Sequence, residues 1–366
     1  MKIKKILQNI FKNLFQLLFK IVYGRVIYSK HNLENKNIVV DKIKNSELNK
    51  YTSEVYSVFS ISGGRVYNDN VENVAIINQN EIIDKISYQQ REGKLVSASE
   101  SIILKKGTPR IKKKIKSNLL ILSQGASGRD NYFHWLYDIL PKIRICSEVY
   151  NLENIENFYF SKLKNWQKNI LETLGLKKIK IVDSEIYRHV QAEKIIAVEH
   201  PWYEKGYIHE EVANIPAWIV NWLKETFLAK AESFDSNDKI FIDRRESNFN
   251  HCQIINDEEV FQYLKSKGFS KYKVGQLSFK NQIHLFNNAK TIIGPHGAAF
   301  ANLAFCKSQT KVIEFKPFGH PTLVNKRISE INDLNYNSIE STKIDESHRS
   351  KGDILINLNE LDKLFN

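Results

Sequence analysis

The feature that most constrains the fold is an alternation of short apolar strands with longer helical segments over the second two-thirds of the chain. A first set begins with the apolar strand 119–122, and a second set begins with 240–243. Strands that alternate with helices are typical of βαβ units and a parallel sheet, so the sequence predicts two α/β halves. The further predicted strands are 158–160, 179–182, 194–198, 272–274, 291–293 and 311–315, and the predicted helices are 132–145, 166–174, 216–231, 256–267, 279–289 and 297–305.

Residues 50–105 are strand-like. Strands are predicted at 55–61, 71–77, 82–88 and 95–104, with turn signals such as Gly63-Gly64 and Asn68-Asp69-Asn70 between them. Short strands joined by turns of this composition pair with their neighbours in sequence. We therefore expect an antiparallel β meander near the N-terminus.

The first 23 residues predict an amphipathic helix. Lysines and polar residues interrupt the apolar run, so crossing a bilayer would bury charge, and no small-residue cleavage site follows as in a signal peptide. The pattern fits a helix lying on an anionic membrane surface, and the alternative is a helix packed on the protein's own core. The apolar face consists of Ile6, Ile10, Phe11, Leu14, Phe15, Leu17, Leu18, Phe19 and Ile21.

The charge balance narrows the choice of partners. Among 366 residues, 54 Lys and Arg against 41 Asp and Glu give a net charge of +13. A basic chain attracts nucleic acid, anionic membranes or phosphate-bearing substrates. The aromatic residues are scattered through apolar periodic segments, which predicts core packing, so no nucleic-acid partner is expected. Cys146, Cys252 and Cys306 fit neither a disulfide framework nor a zinc site, and a cytoplasmic location is expected.

The sharpest motif is Gly294-Pro295-His296-Gly297-Ala298, which joins a predicted strand to an alanine-rich predicted helix. Gly294 and Gly297 allow the backbone to approach a ligand closely. The free N–H groups and the dipole at the start of a helix attract an anion, and His296 stands where it can donate to a phosphate oxygen. The motif predicts an anion site that includes Ala298. The alternative is a structural turn with a satisfied histidine.

Two further groups of charged residues follow strands of the second half. Arg244 and Arg245 come directly after the strand 240–243, where a diphosphate could be gripped by a bidentate fork. The alternative is a solvated charge run or a pair between arginine and Asp243. Glu314 lies at the end of the strand 311–315 and could accept hydrogen bonds from ribose hydroxyls, although a solvated glutamate is nearly as good an interpretation.

A histidine and an aspartate share one face of the predicted helix at 132–145. His134 and Asp138 are four residues apart, which places them on the same side. One of them could deprotonate a hydroxyl while the other orients it. The alternative is a buried hydrogen bond that holds the helix.

Other common sites are missing from the sequence. We find no Gly-x-x-x-x-Gly-Lys-Ser/Thr loop for ATP, no Gly-x-Ser-x-Gly elbow, and no His-Glu-x-x-His or Cys/His cluster. No metal site and no cofactor are therefore expected.

Together these stretches resemble the family 61 glycosyltransferases, including the bacterial members described as capsular polysaccharide biosynthesis proteins. The similarity runs from about residue 50 to residue 320, and its specific part is Gly-Pro-His-Gly-Ala with the downstream Ala301-Asn302. Supporting matches are 132–142 with His134, Trp135 and Asp138; 242–244 followed by 256–259; and Glu314. One departure is that Cys252 and Gln253 stand where the family has a basic residue, so that either Arg245 replaces it or the donor preference differs.

The resemblance implies a GT-B-like α/β fold with two Rossmann-type domains facing a cleft, inversion at the anomeric carbon and no obligatory metal. The expected domains are an amphipathic membrane-surface helix at 1–30, an acceptor-side domain at 31–212 and a nucleotide-sugar-binding domain at 213–366. We expect Asp138, assisted by His134, to act as the base. The expected donor-binding residues are Arg244, Arg245, Gly294, His296, Gly297, Ala298 and Glu314.

The expected reaction moves a sugar from a nucleotide-sugar donor to a hydroxyl of a cell-surface glycan precursor of the capsule, O-antigen or lipo-oligosaccharide type. A glycan or lipid-linked glycan acceptor suits an enzyme bound peripherally to the inner face of the cell membrane. The competing hypothesis is a non-catalytic nucleotide- or glycan-binding module of a polysaccharide assembly complex.

Overall fold

The computed structural model describes residues 2–29, 37–43, 55–70, 73–124, 130–203, 206–245, 251–343 and 352–365. They divide into two units, Met1–Ile208 and His209–Asn366. The strands of the first unit are β1 Ile27–Tyr28, β2 Ile38–Lys42, β3 Ser57–Ser62, β4 Arg65–Asn70, β5 Asn73–Asn78, β6 Glu81–Ile82, β7 Gln89–Arg91, β8 Lys94–Val96, β9 Lys113–Ile121, β10 Asn157–Phe160, β11 Lys180–Asp183, β12 His189–Val198 and β13 Gly206–Tyr207. Those of the second are β14 Lys239–Ile242, β15 Ser270–Tyr272, β16 Thr291–Pro295, β17 Lys311–Lys316 and β18 Asn335–Glu340.

The helices follow the expected alternation in both units. They are α1 Lys2–Tyr23, α2 Ile103–Lys106, α3 Tyr132–His134, α4 Leu140–Ser147, α5 Asn165–Thr173, α6 Ile208–Glu211, α7 Ala217–Phe227, α8 Asp257–Ser266, α9 Phe279–Asn288, α10 Val324–Ile331 and α11 Leu358–Lys363. The prediction of a mixed α/β protein is confirmed, with a large mixed sheet in the first unit and a parallel sheet in the second.

Part of the first sheet is parallel. Its neighbours lie in the order β11-β10-β9-β12, and each of these pairs is parallel. The chain builds outward from β9 through β10 to β11, and then places β12 on the other side of β9. The strand order therefore reverses between β9 and β12. In open α/β sheets, ligands bind at such a reversal, outside the carboxyl ends of the strands.

The rest of the first sheet contains the expected antiparallel strands in shortened form. β4, β5, β7 and β8 pair in that order, each antiparallel to the next. The strand expected over 82–88 is mostly wrong, because a 3₁₀ turn at Asp84–Ile86 interrupts it. The carboxylate of Asp84 accepts from Ser97 Oγ and from the backbone N–H of Ala98, which stabilises helical turns where the last strand was expected to continue.

Gly63-Gly64 forms a turn between β3 and β4, as expected, but the turn does not reverse the chain. β3 and β4 are both antiparallel to β12 and share one register, in which Ser62 faces Lys194 and Arg65 faces Gln191. The N–H of Gly63 donates to the carbonyl of Glu193 at 2.8 Å, so the pairing continues across the two glycines. Both strands therefore follow the same long partner, β12, in one direction, with the two glycines between them.

The second unit contains a five-stranded parallel sheet in the order β15-β14-β16-β17-β18. Its strand order reverses between β14 and β16. The C-terminal segment packs into the core of this unit, with Ile354 and Leu361 fully buried. Asn256 stands at the N-cap of α8, but its side chain does not cap the helix. It bonds Glu259 and the backbone of Ile356 instead.

The apolar face of α1 is not covered by the described part of the protein. Leu14 and Ile21, for example, are 58% and 74% exposed. Contact with the rest of the first unit is made by the end of the helix, where the hydroxyl of Tyr23 accepts from the backbone N–H of Lys112. The described helices include none that is long and apolar enough to cross a membrane. Within the described part of α1, the exposed large apolar residues are Ile6, Leu7, Ile10, Phe11, Leu14, Phe15, Leu17, Leu18, Ile21 and Val22.

Candidate active site

In the second unit, two of the sequence motifs meet at the reversal of strand order. Arg244 follows β14, and the Gly-Pro-His-Gly turn leaves the end of the neighbouring strand β16. A guanidinium N–H of Arg244 donates to the carbonyl oxygen of His296, although 52 positions separate the two residues in sequence. The fold thus assembles the predicted anion-binding residues at the edge where a parallel sheet binds ligands.

The two glycines of this turn are required by contacts within the protein. A Cβ on Gly294 would lie 2.7 Å from Cβ of Ile242, and a Cβ on Gly297 would lie 2.8 Å from Nη1 of Arg244. The φ angle of Gly297 is 170°, an extended conformation open to any residue, so the requirement is one of space. The sequence analysis expected these glycines to leave room for a ligand. In the structure, Ile242 and Arg244 occupy the space beside them.

The helix predicted over 297–305 is present as a 3₁₀ helix, Ala298–Phe305. Buried side chains hold it tightly, and the amide of Asn302 donates to Gln282 and to the carbonyl of Ala299. The first N–H groups of such a helix take no part in its own hydrogen bonds. Those of Ala298 and Ala299 therefore stay available to the chemistry of the site.

A buried carboxylate orients His296. Nδ1 of His296 lies 2.5 Å from Oε1 of Glu314, which also accepts from the amide of Asn325 at 2.8 Å, while Tyr336 donates to Oε2. Burial raises the pKa of Glu314, but the attraction and hydrogen bonds of His296, Tyr336 and Asn325 outweigh burial and lower it. Because an ionised carboxylate only accepts, Nδ1 of His296 carries a proton, and Nε2 is the second polar atom of the ring.

This geometry gives Glu314 a different role from the expected one. The side chain is buried, and protein donors occupy both of its oxygens. A ribose hydroxyl would have to displace one of those donors. Glu314 is therefore placed to orient His296 rather than to bind a nucleoside.

The two arginines differ in their partners. Arg245 is exposed and pairs with Asp243 at 2.8 Å and with Asp257 at 3.5 Å, so carboxylates neutralise it. Arg244 is half-buried beside the Gly-Pro-His-Gly turn, and its Nη2 lies 3.4 Å from Nδ1 of His251. For Arg245, the structure therefore shows the ion pair with Asp243 that the sequence analysis gave as an alternative to diphosphate binding.

A second histidine, which the sequence analysis missed, lies against His296. The ring centroids of His296 and His320 are 4.1 Å apart. Burial, together with the nearby His296 and Lys316, lowers the pKa of His320 to about 3, so the ring is neutral at physiological pH. Nδ1 of His320 lies 3.4 Å from the backbone N of Thr322, which assigns the ring proton to Nε2.

The other predicted pair, His134 and Asp138, lies in the first unit. It is on the helix that follows β9, next to the reversal of strand order between β9 and β12. The side chain of Asn131 accepts from the N–H groups of Phe133 and His134 and so begins the helix that bears the pair. α3 continues through a π-helical turn, Trp135–Ile139, into α4. The turn directly precedes Pro141, which cannot donate a helical hydrogen bond, and wide turns of this kind are frequent at functional sites.

His134 and Asp138 form the hydrogen bond that their spacing predicts. Nδ1 of His134 lies 2.7 Å from Oδ2 of Asp138. The side chain of Asp138 is 1% exposed and that of His134 is 15% exposed. Burial raises the pKa of Asp138, but the attraction and hydrogen bonds of His134 and His200 outweigh burial and hold it well below its usual range. The aspartate is therefore ionised, and His134 presents Nδ1–H to it.

Residues from beyond β12 complete the surroundings of Asp138. Nε1 of Trp202 donates to Oδ1 at 2.9 Å, although 64 positions separate the residues, and Nε2 of His200 lies 3.6 Å from Oδ2. Nδ1 of His200 accepts from the backbone N–H of Tyr203 at 3.2 Å, which places the ring proton on Nε2. Burial lowers the pKa of His200 to about 4, so this histidine is neutral at physiological pH.

A buried lysine lies one helical turn beyond Asp138. Lys142 is fully buried, and burial lowers its pKa to about 8, although the attraction of Asp138 opposes that effect. Aspartate, lysine and the two histidines form one buried polar network. Such a network fixes its members in position when their hydrogen bonds are satisfied.

The arrangement separates the chemical abilities of Asp138 and His134. Asp138 is buried, and its two oxygens already accept from Trp202 and His134. His134 is partly exposed, and its Nε2 carries the free electron pair when Nδ1 is bonded to the carboxylate. A histidine held by a buried carboxylate in this way can take a proton from a hydroxyl.

Neither His200, Trp202, His320 nor Tyr336 was expected from the sequence. His200, Trp202 and His320 follow strands, and Tyr336 lies within β18. The position of each strand in its sheet sets the neighbours of these residues. The sequence offered one indication of a functional position for His200, which follows a predicted strand as Arg244 does.

Within the described residues, no group of three or more His, Cys, Asp or Glu side chains is arranged to hold a metal ion. The three cysteines are free and buried.

Comparison with known proteins finds a family match that covers His134, Asp138, Arg244 and His296. Residues 132–313 match the family described as Glycosyltransferase 61. The match begins at the helix that carries His134 and extends to β17, just before Glu314. No curated protein matches the chain. The protein is therefore a glycosyltransferase that carries a family 61 domain.

Proposed function

We propose that the protein is an inverting glycosyltransferase with a GT-B-like division of labour, in which the second unit binds a nucleotide-sugar donor and the first presents an acceptor hydroxyl to His134. The observation that carries the proposal is the pair of histidines, His134 and His296, each held by a buried carboxylate at a reversal of strand order. The family supports sugar transfer in general.

The proposed reaction is a single displacement. Nε2 of His134 takes the proton of the acceptor hydroxyl, and the resulting oxygen bonds to the anomeric carbon of the donor sugar. The bond from that carbon to the nucleoside diphosphate breaks, and the diphosphate leaves with the electron pair. Asp138 stabilises the imidazolium that forms, as a buried carboxylate does beside a histidine base. The roles expected from the sequence for His134 and Asp138 are thus exchanged.

Charge stabilisation of the leaving diphosphate is assigned to Arg244, to the imidazolium form of His296 and to the N–H groups of Ala298 and Ala299. In that form Nδ1–H of His296 stays on Glu314, and Nε2–H donates to a phosphate oxygen. Arg244 supplies a delocalised cation with several N–H donors, some of which contact His296, His251 and Cys252. Arg245 is left out of the proposed site because Asp243 and Asp257 neutralise it. With these donors, the reaction is proposed to need neither an obligatory metal nor another cofactor.

The proposed acceptor is a cell-surface glycan precursor of the capsule, O-antigen or lipo-oligosaccharide type. Support comes from α1, whose exposed apolar face fits peripheral association with the inner face of the cell membrane, where lipid-linked acceptors reside. A protein without residues 1–18 keeps Lys20 and Tyr23, which contact the first unit, and should fold but no longer bind vesicles.

A panel of nucleotide sugars tests the donor part. We expect one of them, or its nucleoside diphosphate, to raise the melting temperature in the presence of EDTA, since a ligand at 100 times its dissociation constant stabilises by about 2.7 kcal/mol. The same donor should be hydrolysed slowly or transferred to a glycan extract with inversion. Strict dependence of binding and transfer on Mn²⁺ or Mg²⁺ would contradict the metal-free mechanism.

A further inference from the structure

A row of lysines lies on one face of the sheet beside α1. Ile115 in β9 packs against the core of the first unit. Because side chains alternate along a strand, Lys114 points to the opposite face, and Lys112, just before β9, continues the row. Lys116 follows at an irregularity in the pairing of β9 with β12. Lys114 and Lys116 are exposed. These three residues are called the lysine face.

The end of α1 rests on this face. The hydroxyl of Tyr23 accepts from the backbone N–H of Lys112 at 3.1 Å, and the ammonium group of Lys112 lies 5.2 Å from the ring centroid of Tyr23. The Tyr23 ring also meets His189 edge-on at 4.9 Å. The exposed apolar side of α1 and the lysine face are therefore joined within one unit.

The charges of the lysine face are not balanced by the protein around them. In the part of the chain that the structure describes, no carboxylate lies within ion-pair distance of Lys112, Lys114 or Lys116. The nearby Arg65 and Lys114, in addition to burial, lower the pKa of Lys112. Asp69, which lies in β4, is already paired with Lys106 and Arg188. A surface of one sign without its own counter-ions favours an anionic partner.

The partner that fits both features is an anionic lipid bilayer. The apolar face of α1 suits the boundary between headgroups and acyl chains, and α1 contains no acidic residue. Lysines close to an anionic leaflet each strengthen binding by about fivefold. A second copy of the chain would bring the same positive charges against each other, and a nucleic acid would leave the apolar face of α1 exposed.

We propose that the lysine face binds the anionic headgroups of the membrane on which α1 lies, and that the two contacts together fix the orientation of the first unit on the bilayer. The inference rests on the proposed membrane association of α1. A helix by itself permits rotation of the unit about its one attachment, whereas a second contact at the end of the helix restricts that rotation.

Co-sedimentation of the full-length protein with vesicles tests the proposal. The variant Lys112→Gln, Lys114→Gln, Lys116→Gln removes the charges, and Lys177→Gln, Lys178→Gln, Lys180→Gln removes three exposed charges elsewhere in the same unit as a matched control. On phosphatidylcholine vesicles that contain phosphatidylglycerol, we expect the first variant to bind on the order of tenfold to a hundredfold more weakly, with a shallower salt dependence. The control should stay within about twofold of the unmodified protein.

Equal binding by the lysine-face variant and the unmodified protein would overturn the proposal, as would an equal loss in the control. So would a variant that keeps its vesicle affinity and loses affinity for single-stranded RNA, since the surface would then serve a nucleic acid. If the triple variant does not fold, Lys114→Gln with Lys116→Gln changes exposed residues and should still weaken binding several-fold.

A separate variant tests the membrane association of α1 independently of the lysine face. Phe11→Ser with Leu14→Ser and Leu18→Ser removes the apolar contact of α1 and should also abolish binding to vesicles of phosphatidylcholine without anionic lipid. If that variant binds vesicles as the unmodified protein does, the proposed membrane role of α1 fails, whatever the lysine-face variant shows.

Discussion

Nδ1 of His134 lies 2.7 Å from Oδ2 of Asp138, and the carboxylate of this pair is buried while the imidazole reaches the surface. The second unit repeats the relationship between His296 and Glu314 at 2.5 Å. In both pairs, the carboxylate fixes which ring nitrogen carries the proton and leaves Nε2 for a ligand. The buried acid therefore acts through the histidine, which is the basis of the first prediction.

His134→Gln should lower kcat by about 10²–10⁴-fold, because it removes the proposed base. The affinity for the nucleoside diphosphate should not change, since the proposed donor site lies in the second unit. Asp138→Asn should also lower kcat, because an amide no longer holds the proton on Nδ1 or stabilises the imidazolium. Steady-state kinetics at saturating donor and acceptor measure both effects. Near-normal turnover by folded His134→Gln protein would return the role of base to Asp138.

Arg244→Ala and Arg245→Ala should differ although the residues are adjacent. The first removes a charge-assisted contact to the diphosphate, worth about 1.5–3 kcal/mol, so affinity should fall on the order of tenfold or more. The second removes an exposed cation that Asp243 and Asp257 already neutralise, and affinity should change less than about twofold. Titration calorimetry with the nucleoside diphosphate compares them. A larger loss for Arg245→Ala would reverse the assignment.

Two glycine-to-alanine substitutions in the same turn should have different consequences. In Gly294→Ala, the new methyl group meets Cβ of Ile242, which the strand holds in place, so stability should fall by about 1–3 kcal/mol. In Gly297→Ala, it meets the end of the flexible Arg244 side chain. The fold should survive there, and diphosphate affinity should fall as the guanidinium is displaced. Thermal melting and calorimetry separate the two effects, and a similar loss of stability in both variants would argue against the difference.

Acid should destabilise the first unit through His200. Burial lowers the pKa of this residue to about 4, compared with about 6.5 in an unfolded chain. Between these values the unfolded chain binds a proton that the folded protein does not, so the free energy of unfolding falls as the pH falls, by up to about 1.4 kcal/mol per pH unit. Above pH 6.5 the contribution is constant.

Urea unfolding between pH 4.5 and 7 measures this slope, and His200→Gln should reduce it by the equivalent of one proton. In histidine NMR spectra, one resonance that disappears in the variant should show no titration above about pH 5. A His200 resonance that titrates near pH 6.5 would show that the imidazole is not held neutral by burial.

Much of the fold could be predicted because the patterns involved are local. A fully buried parallel strand reads as a short apolar run, and a helix repeats its apolar residues every three or four positions. The α/β alternation, the strands that precede Arg244 and Gly294, and the spacing of His134 and Asp138 were all determined at this level. The antiparallel strands were predicted less well, because Gly63-Gly64 reads as a turn whether or not a longer strand is available to pair across it.

The tertiary structure decided which residues meet and which are buried. The residues near Asp138 in the sequence do not indicate that β12 lies on the other side of β9. That strand position brings Trp202, 64 positions away in sequence, into hydrogen-bond contact with the carboxylate of Asp138. Arg244 and Arg245 likewise look equivalent in the sequence. They differ in the residues that the fold places beside them. The charge and spacing of side chains are properties of the sequence, whereas their solvation depends on strand order. Strand order therefore distinguishes a candidate base from the buried acid that orients it.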